Sequence, residues 1–163
     1  MLTLRPAAAS DAVVIAALLT GLNQTVGPPL GDENVMVTPE QARARLTAMA
    51  PGEQVLLAYV DNAPAGLLSL RIVPYLSQDV PYAEVTELYV VPEHRRQGVA
   101  RLLMAEAEFI SRARGGTYVH VNTWHDNHDA QAFYRAAGYE SLVVGFQKRL
   151  PRKSEARRRR AEG

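Results

Sequence analysis

The residues best suited to bind an anion lie in one turn, residues 92–101 (PEHRRQGVAR). An apolar run ends just before this turn and a helical pattern follows it, so Gly98 and Ala100 fall at the start of a helix. The first N–H groups of a helix have no partner inside it and carry partial positive charge, which attracts anions. Small side chains let a diphosphate approach that backbone. Three arginines add positive charge around it: Arg95, Arg96 and Arg101.

Two common nucleotide-binding motifs are excluded at this turn. Gly98 is not followed by the Lys-Ser/Thr of a Walker loop, and a single glycine stands where a dinucleotide fingerprint needs three. The alternative interpretation is that Gly98 is merely tolerated and that the arginines are a solvated helix start, because an isolated R-x-x-G-x-A pattern recurs by accident. The surrounding elements have to decide between the two.

Hydrophobic periodicity predicts the elements that position this turn. Strands are predicted over residues 2–5, 55–60, 65–73, 82–91, 117–123 and 142–150, and helices over residues 10–18, 38–49, 97–114 and 127–137. We expect Ser10 and Asp11 to cap the first helix and Thr38 the second. The glycines and prolines of residues 21–37 predict an irregular connection. This order of elements predicts an α/β fold around one mixed sheet.

Charge is segregated along the 163 residues. Residues 151–163 hold six of the 18 Lys and Arg and two of the 17 Asp and Glu, so this segment carries +4 and residues 1–150 carry −3. We expect residues 1–150 to form one domain and residues 151–163 a basic, disordered tail. An acidic body argues against nucleic-acid binding by the domain.

Several other classes of site have little support. The absence of cysteine excludes disulfides, thiolate metal sites and cysteine nucleophiles. His125 and His128, with neighbouring aspartates, are more typical of a surface and a helix start than of a metal site, so no metal is expected. We see neither a signal peptide nor about 18 consecutive apolar residues, and therefore expect a cytoplasmic protein without a membrane partner.

Two spaced motifs resemble the GNAT superfamily of acyl-coenzyme A-dependent N-acyltransferases. Residues 88–93 (LYVVPE) lead into residues 95–100 (RRQGVA), as in the family's Arg/Gln-x-x-Gly-x-Gly/Ala signature. Residues 127–139 match a second family block, Asn-x-x-Ala-x-x-Phe-Tyr-x-x-x-Gly-Phe/Tyr. Ala100 replaces the commoner glycine, which the family tolerates. The resemblance implies a GNAT-like fold, with a mixed and mostly antiparallel sheet flanked by about four helices.

The resemblance also implies that acetyl-coenzyme A is the acyl donor. Backbone amides of the turn would hold its diphosphate, and the strand before the turn would pair with its pantetheine arm. A backbone N–H near Val90 would polarise the thioester carbonyl. Asn127 would contact the coenzyme from the second block. The residues expected at the coenzyme are Leu88, Tyr89, Val90, Arg95, Arg96, Gln97, Gly98, Val99, Ala100, Arg101, Asn127 and Tyr134.

The family's proton-transfer roles fall on three residues. Tyr134 matches the frequent general acid, and a phenol with an unperturbed pKa of about 10 stays protonated beside a thiol of about 8.5. The alternative is that Tyr134 only packs its helix on the sheet. Glu84 and Glu87 are the candidate bases that take a proton from the amine. Glu84 is slightly favoured because it falls where histone-type members of the family carry a glutamate base; the alternative is that either glutamate is only solvated. Strand alternation predicts that they lie on opposite faces, unless a bulge alters the count.

The resemblance places the amine acceptor between residues 21–37 and residues 74–83. These segments contain no Lys or Arg, and their acidic and aromatic residues predict a rim that favours a cationic amine: Asp32, Glu33, Asp79, Tyr75 and Tyr82. The acceptor could be a small molecule or a protein amine, and the family also suggests a possible homodimer. The alternatives are a non-catalytic acyl-coenzyme A-binding module, and an interaction protein that acts through its basic tail.

Overall fold

The computed structural model describes residues 1–26 and 36–148. Its strands are β1 (Leu2–Pro6), β2 (Glu53–Val60), β3 (Ala63–Val73), β4 (Tyr82–Val90) and β5 (Val119–Val121). Its helices are α1 (Ala12–Val26), α2 (Pro39–Thr47), α3 (Val99–Ala113) and α4 (His128–Ala136). The predicted α/β class and mixed, mostly antiparallel sheet are confirmed.

The five strands form one sheet in the order β1-β2-β3-β4-β5. The first four are antiparallel neighbours, whereas β5 runs parallel to β4. The parallel pairing joins only residues 83–85 of β4 to β5. Because β4 continues to Val90, its second half has an edge that β5 does not cover.

Each face of the sheet carries its own apolar cluster. On the α3 face, α3 buries Val99, Leu103, Met104 and Ala107 against the sheet residues Leu56, Leu68, Leu70 and Val85. On the opposite face, called here the α1/α2 face, Ile15, Leu18 and Ala42 pack against Leu57, Leu67 and Tyr89. Neighbouring residues of β3, such as Leu67 and Leu68, therefore belong to different clusters, as strand alternation requires.

A β-bulge interrupts the pairing of β3 with β4. Ser69 pairs with Glu87 and Leu70 pairs with Val85, so Thr86 is the extra residue. An inserted residue changes which side chains share a face, because the alternation restarts on the far side of the bulge. Residues on either side of Thr86 therefore cannot be assigned to a face by counting along the sequence.

Helix α1 is longer than the sequence predicts. The predicted irregular connection began at residue 21, but α1 continues through Gly21 to Val26. A glycine at this position leaves room for the Tyr89 ring, because a Cβ on Gly21 would lie 2.5 Å from the Tyr89 hydroxyl. Ala9–Val26 is long and apolar enough to cross a membrane by length and composition alone. The buried residues of α1, Ala12, Ile15, Ala16 and Leu18, pack in the apolar cluster of the α1/α2 face.

The structure also corrects two smaller predictions. Ser10 does not cap α1; instead a short turn, Ala9–Asp11, precedes the helix, and the Asp11 carboxylate accepts hydrogen bonds from Ala8 N–H and the Arg5 guanidinium. The strand predicted over residues 142–150 is absent from its described part, residues 142–148. Leu142 and Phe146 are exposed there rather than paired into the sheet. The predicted tail, residues 151–163, lies outside the described residues.

Other boundaries match. Thr38 caps α2 and exchanges hydrogen bonds with Gln41, with Pro39 at the first helical position. The turn between β2 and β3 lies at Asp61 and Asn62, which have positive φ angles of 49° and 67°. These angles suit a tight hairpin turn.

The contact between Gly21 and Tyr89 yields a prediction of unusual sign. Glycine to alanine within a helix normally stabilises by about 1 kcal/mol, but Gly21→Ala should destabilise the protein by about 1–3 kcal/mol, because the methyl group overpacks the contact. Urea unfolding measures the change. The control is the same substitution in a Tyr89→Leu background, where removal of the ring should restore the stabilising sign. A Gly21→Ala variant more stable than the parent would show that helix and ring are not in contact.

Candidate functional site

The turn between β4 and α3 has two residues in the left-handed conformation. Gly98, the N-cap of α3, has a φ of 85°, and Arg96 has a φ of 59°. Left-handed residues within a turn direct successive N–H groups to one side and so form an anion-binding concavity. A φ in this range suits glycine but is uncommon for arginine. The turn therefore adopts the strained geometry often found where a backbone binds a ligand.

The start of α3 supplies unpaired donors. The first bond inside the helix runs from Leu102 N–H to Gly98 O at 2.9 Å, so the N–H groups of Val99, Ala100 and Arg101 come before it. A Cβ built on Gly98 meets nothing within 4 Å. Free space thus lies beside three backbone donors and the positive end of a 15-residue helix. A diphosphate fits this arrangement.

Two side chains of the turn hold its shape. Arg95 Nε donates to Val90 O at 3.1 Å, and Gln97 Nε2 donates to Glu93 O at 2.8 Å. Arg95 therefore links the turn to the last residue of β4. Arg96 and Arg101 are exposed and leave their charges beside the helix start.

The uncovered edge of β4 has a definite pattern of backbone groups. Val91 N–H donates to Ala65 O at 3.0 Å, and Val90 is the cross-strand partner of Gly66. In an antiparallel ladder this makes Val90 a non-hydrogen-bonded pair, so its N–H and C=O point away from β3. Leu88, two residues earlier, has the same orientation. The Val90 carbonyl accepts the hydrogen bond from Arg95 Nε. The Val90 N–H faces the gap between β4 and β5.

Tyr89 differs from its two neighbours. Its backbone groups point toward β3, because the two kinds of pair alternate along the ladder. Its side chain is buried on the α1/α2 face under α1. Of the three residues expected to line the coenzyme on β4, the structure brings the backbones of Leu88 and Val90 to the gap and turns Tyr89 away from it.

Tyr134 packs on the α3 face of the sheet, near the uncovered edge of β4. It is half-buried on α4 and packs on the α3-face cluster, together with Leu88, Val90 and Val121. Its ring makes edge contacts with Phe133 at 5.3 Å and Tyr139 at 5.9 Å. Burial raises the pKa of Tyr134 to about 12. The hydroxyl therefore keeps its proton throughout the neutral range.

Asn127 acts as a helix cap. Its side-chain oxygen accepts a hydrogen bond from Ala130 N–H at 3.1 Å and so begins α4. This intramolecular hydrogen bond occupies the side-chain oxygen of Asn127. Within residues 1–26 and 36–148, no three His, Asp or Glu side chains are grouped as metal ligands.

The bulge changes the prediction for the two glutamates. Glu84 pairs with Arg71 and Glu87 pairs with Ser69, and Arg71 and Ser69 are two residues apart on β3. Directly opposed residues share a face, so Glu84 and Glu87 both lie on the α1/α2 face. The expectation of opposite faces is wrong, and the bulge alternative is confirmed.

The two carboxylates have different surroundings. Glu84 is bound by the Arg71 guanidinium, whose Nε and Nη2 lie 2.7 and 2.6 Å from Glu84 Oε2. This contact raises the pKa of Arg71. Glu87 instead accepts a hydrogen bond from Thr86 Oγ1 at 2.5 Å and lines a cleft. Glu87 is thus the carboxylate that faces a space able to hold a substrate.

The cleft lies between α1, α2 and the sheet and has a volume of about 310 Å³. Its apolar lining consists of Ile15, Leu19, Ala42, Leu46, Met49, Val55, Leu67 and Leu70. Its polar lining consists of Arg45, Glu53, Ser69, Arg71, Thr86 and Glu87. This size and mixture are typical of sites for small molecules.

An aromatic group lies near the other end of β4. Tyr82 contacts Tyr75 at a ring distance of 4.9 Å and stacks on Tyr118 at 5.3 Å. Tyr75 and Tyr82, predicted for the acceptor rim, are therefore brought together, with Tyr118 as an additional member. Asp79 is exposed in the same loop, whereas Asp32 and Glu33 lie outside the described residues.

The sequence analysis did not identify three polar residues that lie beside the two glutamates on β3 and β4. Arg71, Ser69 and Thr86 belong to no motif, and their positions beside the glutamates depend on the register of β3 with β4. The one available signal was the spacing of Glu84 and Glu87, since residues three apart in a strand share a face only across a bulge.

Comparison with known proteins gives a consistent result. A family model described as the acetyltransferase (GNAT) family matches residues 27–139. The chain is 31% identical over 100 residues to an aminoglycoside N(6')-acetyltransferase type 1 of Acinetobacter haemolyticus, covering 58% of this chain and 69% of that protein. It is 30% identical over 100 residues to an aminoalkylphosphonate N-acetyltransferase of Salmonella typhimurium, covering 61% and 65%.

A solved structure is similar over nearly the whole chain. A putative acetyltransferase from Agrobacterium tumefaciens superposes with a TM-score of 0.78 and 26% identity, covering 91% of this chain and 99% of the other. The similarity thus extends beyond the two sequence motifs to the complete arrangement of sheet and helices.

The glycine at the turn can be tested with a matched control. Gly98 and Gly115 have similar φ angles of 85° and 80°, and a Cβ on either meets nothing within 4 Å. Alanine at either position should cost about 1–2 kcal/mol of stability through backbone strain. Gly98→Ala should also weaken acetyl-coenzyme A binding at least tenfold, because its methyl group enters the diphosphate space, whereas Gly115→Ala should not. Isothermal titration measures binding, and equal affinities would place the diphosphate elsewhere.

Proposed function

This chain belongs to the acetyltransferase (GNAT) family, and we propose that it transfers an acetyl group from acetyl-coenzyme A to the amine of a small molecule. The transfer occurs by direct attack in a ternary complex. One observation carries the proposal: the uncovered edge of β4 runs directly into the donor-rich start of α3. A ligand with an extended amide arm and a diphosphate is complementary to that pair of features.

The donor side divides its work between backbone and side chains. Backbone N–H groups from Arg96 to Arg101 bind the diphosphate, with Arg96 and Arg101 as counter-charges. The edge of β4 at Leu88 and Val90 pairs with the pantetheine arm as an added strand would. The Val90 N–H stabilises negative charge on the thioester oxygen during attack.

Glu87 takes the proton from the acceptor. An ammonium group has no lone pair, so it must lose a proton before its nitrogen can attack. Glu87 lies on the cleft, while the carboxylate of Glu84 is engaged by Arg71 at 2.6 Å. This difference supports Glu87 as the base and Glu84 as a structural partner of Arg71.

Tyr134 completes the proton balance. The nitrogen lone pair forms the new C–N bond, the C–S bond breaks, and the sulfur leaves as a thiolate. The Tyr134 hydroxyl gives its proton to that sulfur. The attacking nitrogen loses a second proton as it becomes an amide nitrogen, and this proton restores the Tyr134 hydroxyl through water, while Glu87 releases its own proton to solvent. Burial raises the pKa of Tyr134 to about 12, which keeps the proton available until the thiolate forms.

The acceptor is a small, cationic amine. Glu53 and Glu87 both face the cleft, and Glu84 balances Arg71, so among the described lining residues Arg45 is the one cation without an ion pair. The two curated relatives are named for small amines, an aminoglycoside and aminoalkylphosphonates. An amine panel with measurement of free coenzyme thiol tests this proposal. Turnover confined to protein lysines or N-termini would contradict it, and thiol release with no amine at all would indicate only hydrolysis.

Two conservative variants distinguish the roles of Glu84 and Glu87. Glu87→Gln should lower kcat by about 10²–10⁴-fold, the usual value of a general base. Glu84→Gln should change kcat by less than about tenfold and act mainly on stability, since it weakens an ion pair. Steady-state kinetics at saturating acetyl-coenzyme A measures both. The reverse pattern would assign the base to Glu84.

Tyr134→Phe tests the acid. It should lower kcat by about 10²-fold or more, as for loss of a positioned acid, with little change in acetyl-coenzyme A affinity, because only a hydroxyl is removed. Tyr139→Phe is the control, because the Tyr139 hydroxyl donates to Glu108 at 3.1 Å and takes no part in transfer. A parallel fall in kcat and coenzyme affinity would instead indicate that Tyr134 serves binding.

A further inference from the structure

A pair of hydroxyl groups adjoins Glu87 on the α1/α2 face. Thr86 Oγ1 lies 2.5 Å from Glu87 Oε2 and 3.1 Å from Ser69 Oγ. A hydroxyl has a single proton, and a carboxylate is the stronger acceptor. Thr86 therefore donates to Glu87, and the Ser69 hydroxyl can rotate to donate to Thr86. The three side chains form a short chain of hydrogen bonds that ends on the carboxylate.

Resting on Glu87 as the base of the proposed function, we propose that Thr86 and Ser69 are positioning residues. They hold Glu87 through Oε2 and leave Oε1 to the acceptor ammonium. Neither residue touches the reacting atoms; both act through the carboxylate.

The bulge makes this arrangement possible. Thr86 is the extra residue of β4, and Ser69 is the cross-strand partner of Glu87. In a regular strand a side chain adjacent to Glu87 would point to the opposite face. Across the bulge, Thr86 lines the same cleft as Ser69 and Glu87. The bulge thus places a hydrogen-bond donor for Glu87 on Thr86, the residue that precedes Glu87 in β4.

No other side chain in the described part of the chain donates a hydrogen bond to the Glu87 carboxylate. Charged groups reach the same cleft from the elements around it: Arg45 from α2, Glu53 from β2 and Arg71 from β3, while Glu84 shares the face on β4. Helix α1 contributes only the apolar Ile15 and Leu19. Since Arg71 is paired with Glu84, the hydrogen bond from Thr86 is the described polar contact that orients the Glu87 carboxylate.

The test compares Thr86→Val with Thr86→Ser. Valine keeps the branched shape but removes the hydroxyl; serine keeps the hydroxyl. Thr86→Val should lower kcat about tenfold, as expected for losing one hydrogen bond to a charged group, with KM for acetyl-coenzyme A unchanged. Thr86→Ser should recover most of the turnover, which a loss of packing alone would not predict.

Ser69→Ala should produce a smaller fall in kcat, again with KM for acetyl-coenzyme A unchanged. Thermal melting of each variant checks that the fold is retained, and Thr86 is exposed, so little loss is expected. A Thr86→Val enzyme with parental kcat, beside an inactive Glu87→Gln, would overturn the positioning role and leave the proposed function intact. An active Glu87→Gln would instead overturn the base assignment from which the positioning role follows.

Discussion

Backbone N–H and C=O groups of a strand need partners, and along the second half of β4 no strand of the described residues supplies them on the β5 side. Pairing with β5 stops at Val85, while β4 runs on to Val90 with its edge uncovered. Arg95 satisfies the carbonyl of Val90, which leaves the N–H of the same residue facing the gap. A strand edge left open can pair with an added extended chain. In the proposed function the pantetheine arm pairs with this incomplete ladder.

The same strand meets opposite requirements on its two faces. Toward α3, Val85, Leu88 and Val90 pack in the apolar cluster. Toward α1 and α2, Glu84 pairs with Arg71 and Glu87 lines the cleft. A regular alternation could not place both glutamates there, because they are three residues apart. The single inserted residue, Thr86, reconciles the two patterns, so donor and acceptor can meet on one strand.

Much of this could be read from the residues. The α/β class, the turn at Gly98 and the cap at Thr38 follow from local chemistry, which a sequence expresses directly. Three outcomes did not follow. The continuation of α1 through Gly21 depends on a distant ring, and the pairing of Glu84 with Arg71 depends on register. Residues 142–148 have strand-like composition but no strand partner in the structure. Strand propensity is a property of the segment alone, whereas strand pairing depends on which other strand lies beside it.

The close contact of Gly21 with Tyr89 has a mechanical consequence. Tyr89 belongs to β4, and the helix that roofs the cleft rests on its ring with no side chain between them. Roof and strand therefore form one stiff unit, since closely packed groups transmit displacement rather than absorb it. In the proposed function, a molecule that lifts α1 therefore pushes on the strand whose other edge receives the donor. The two substrates would then share a single rigid element and would not meet across a hinge.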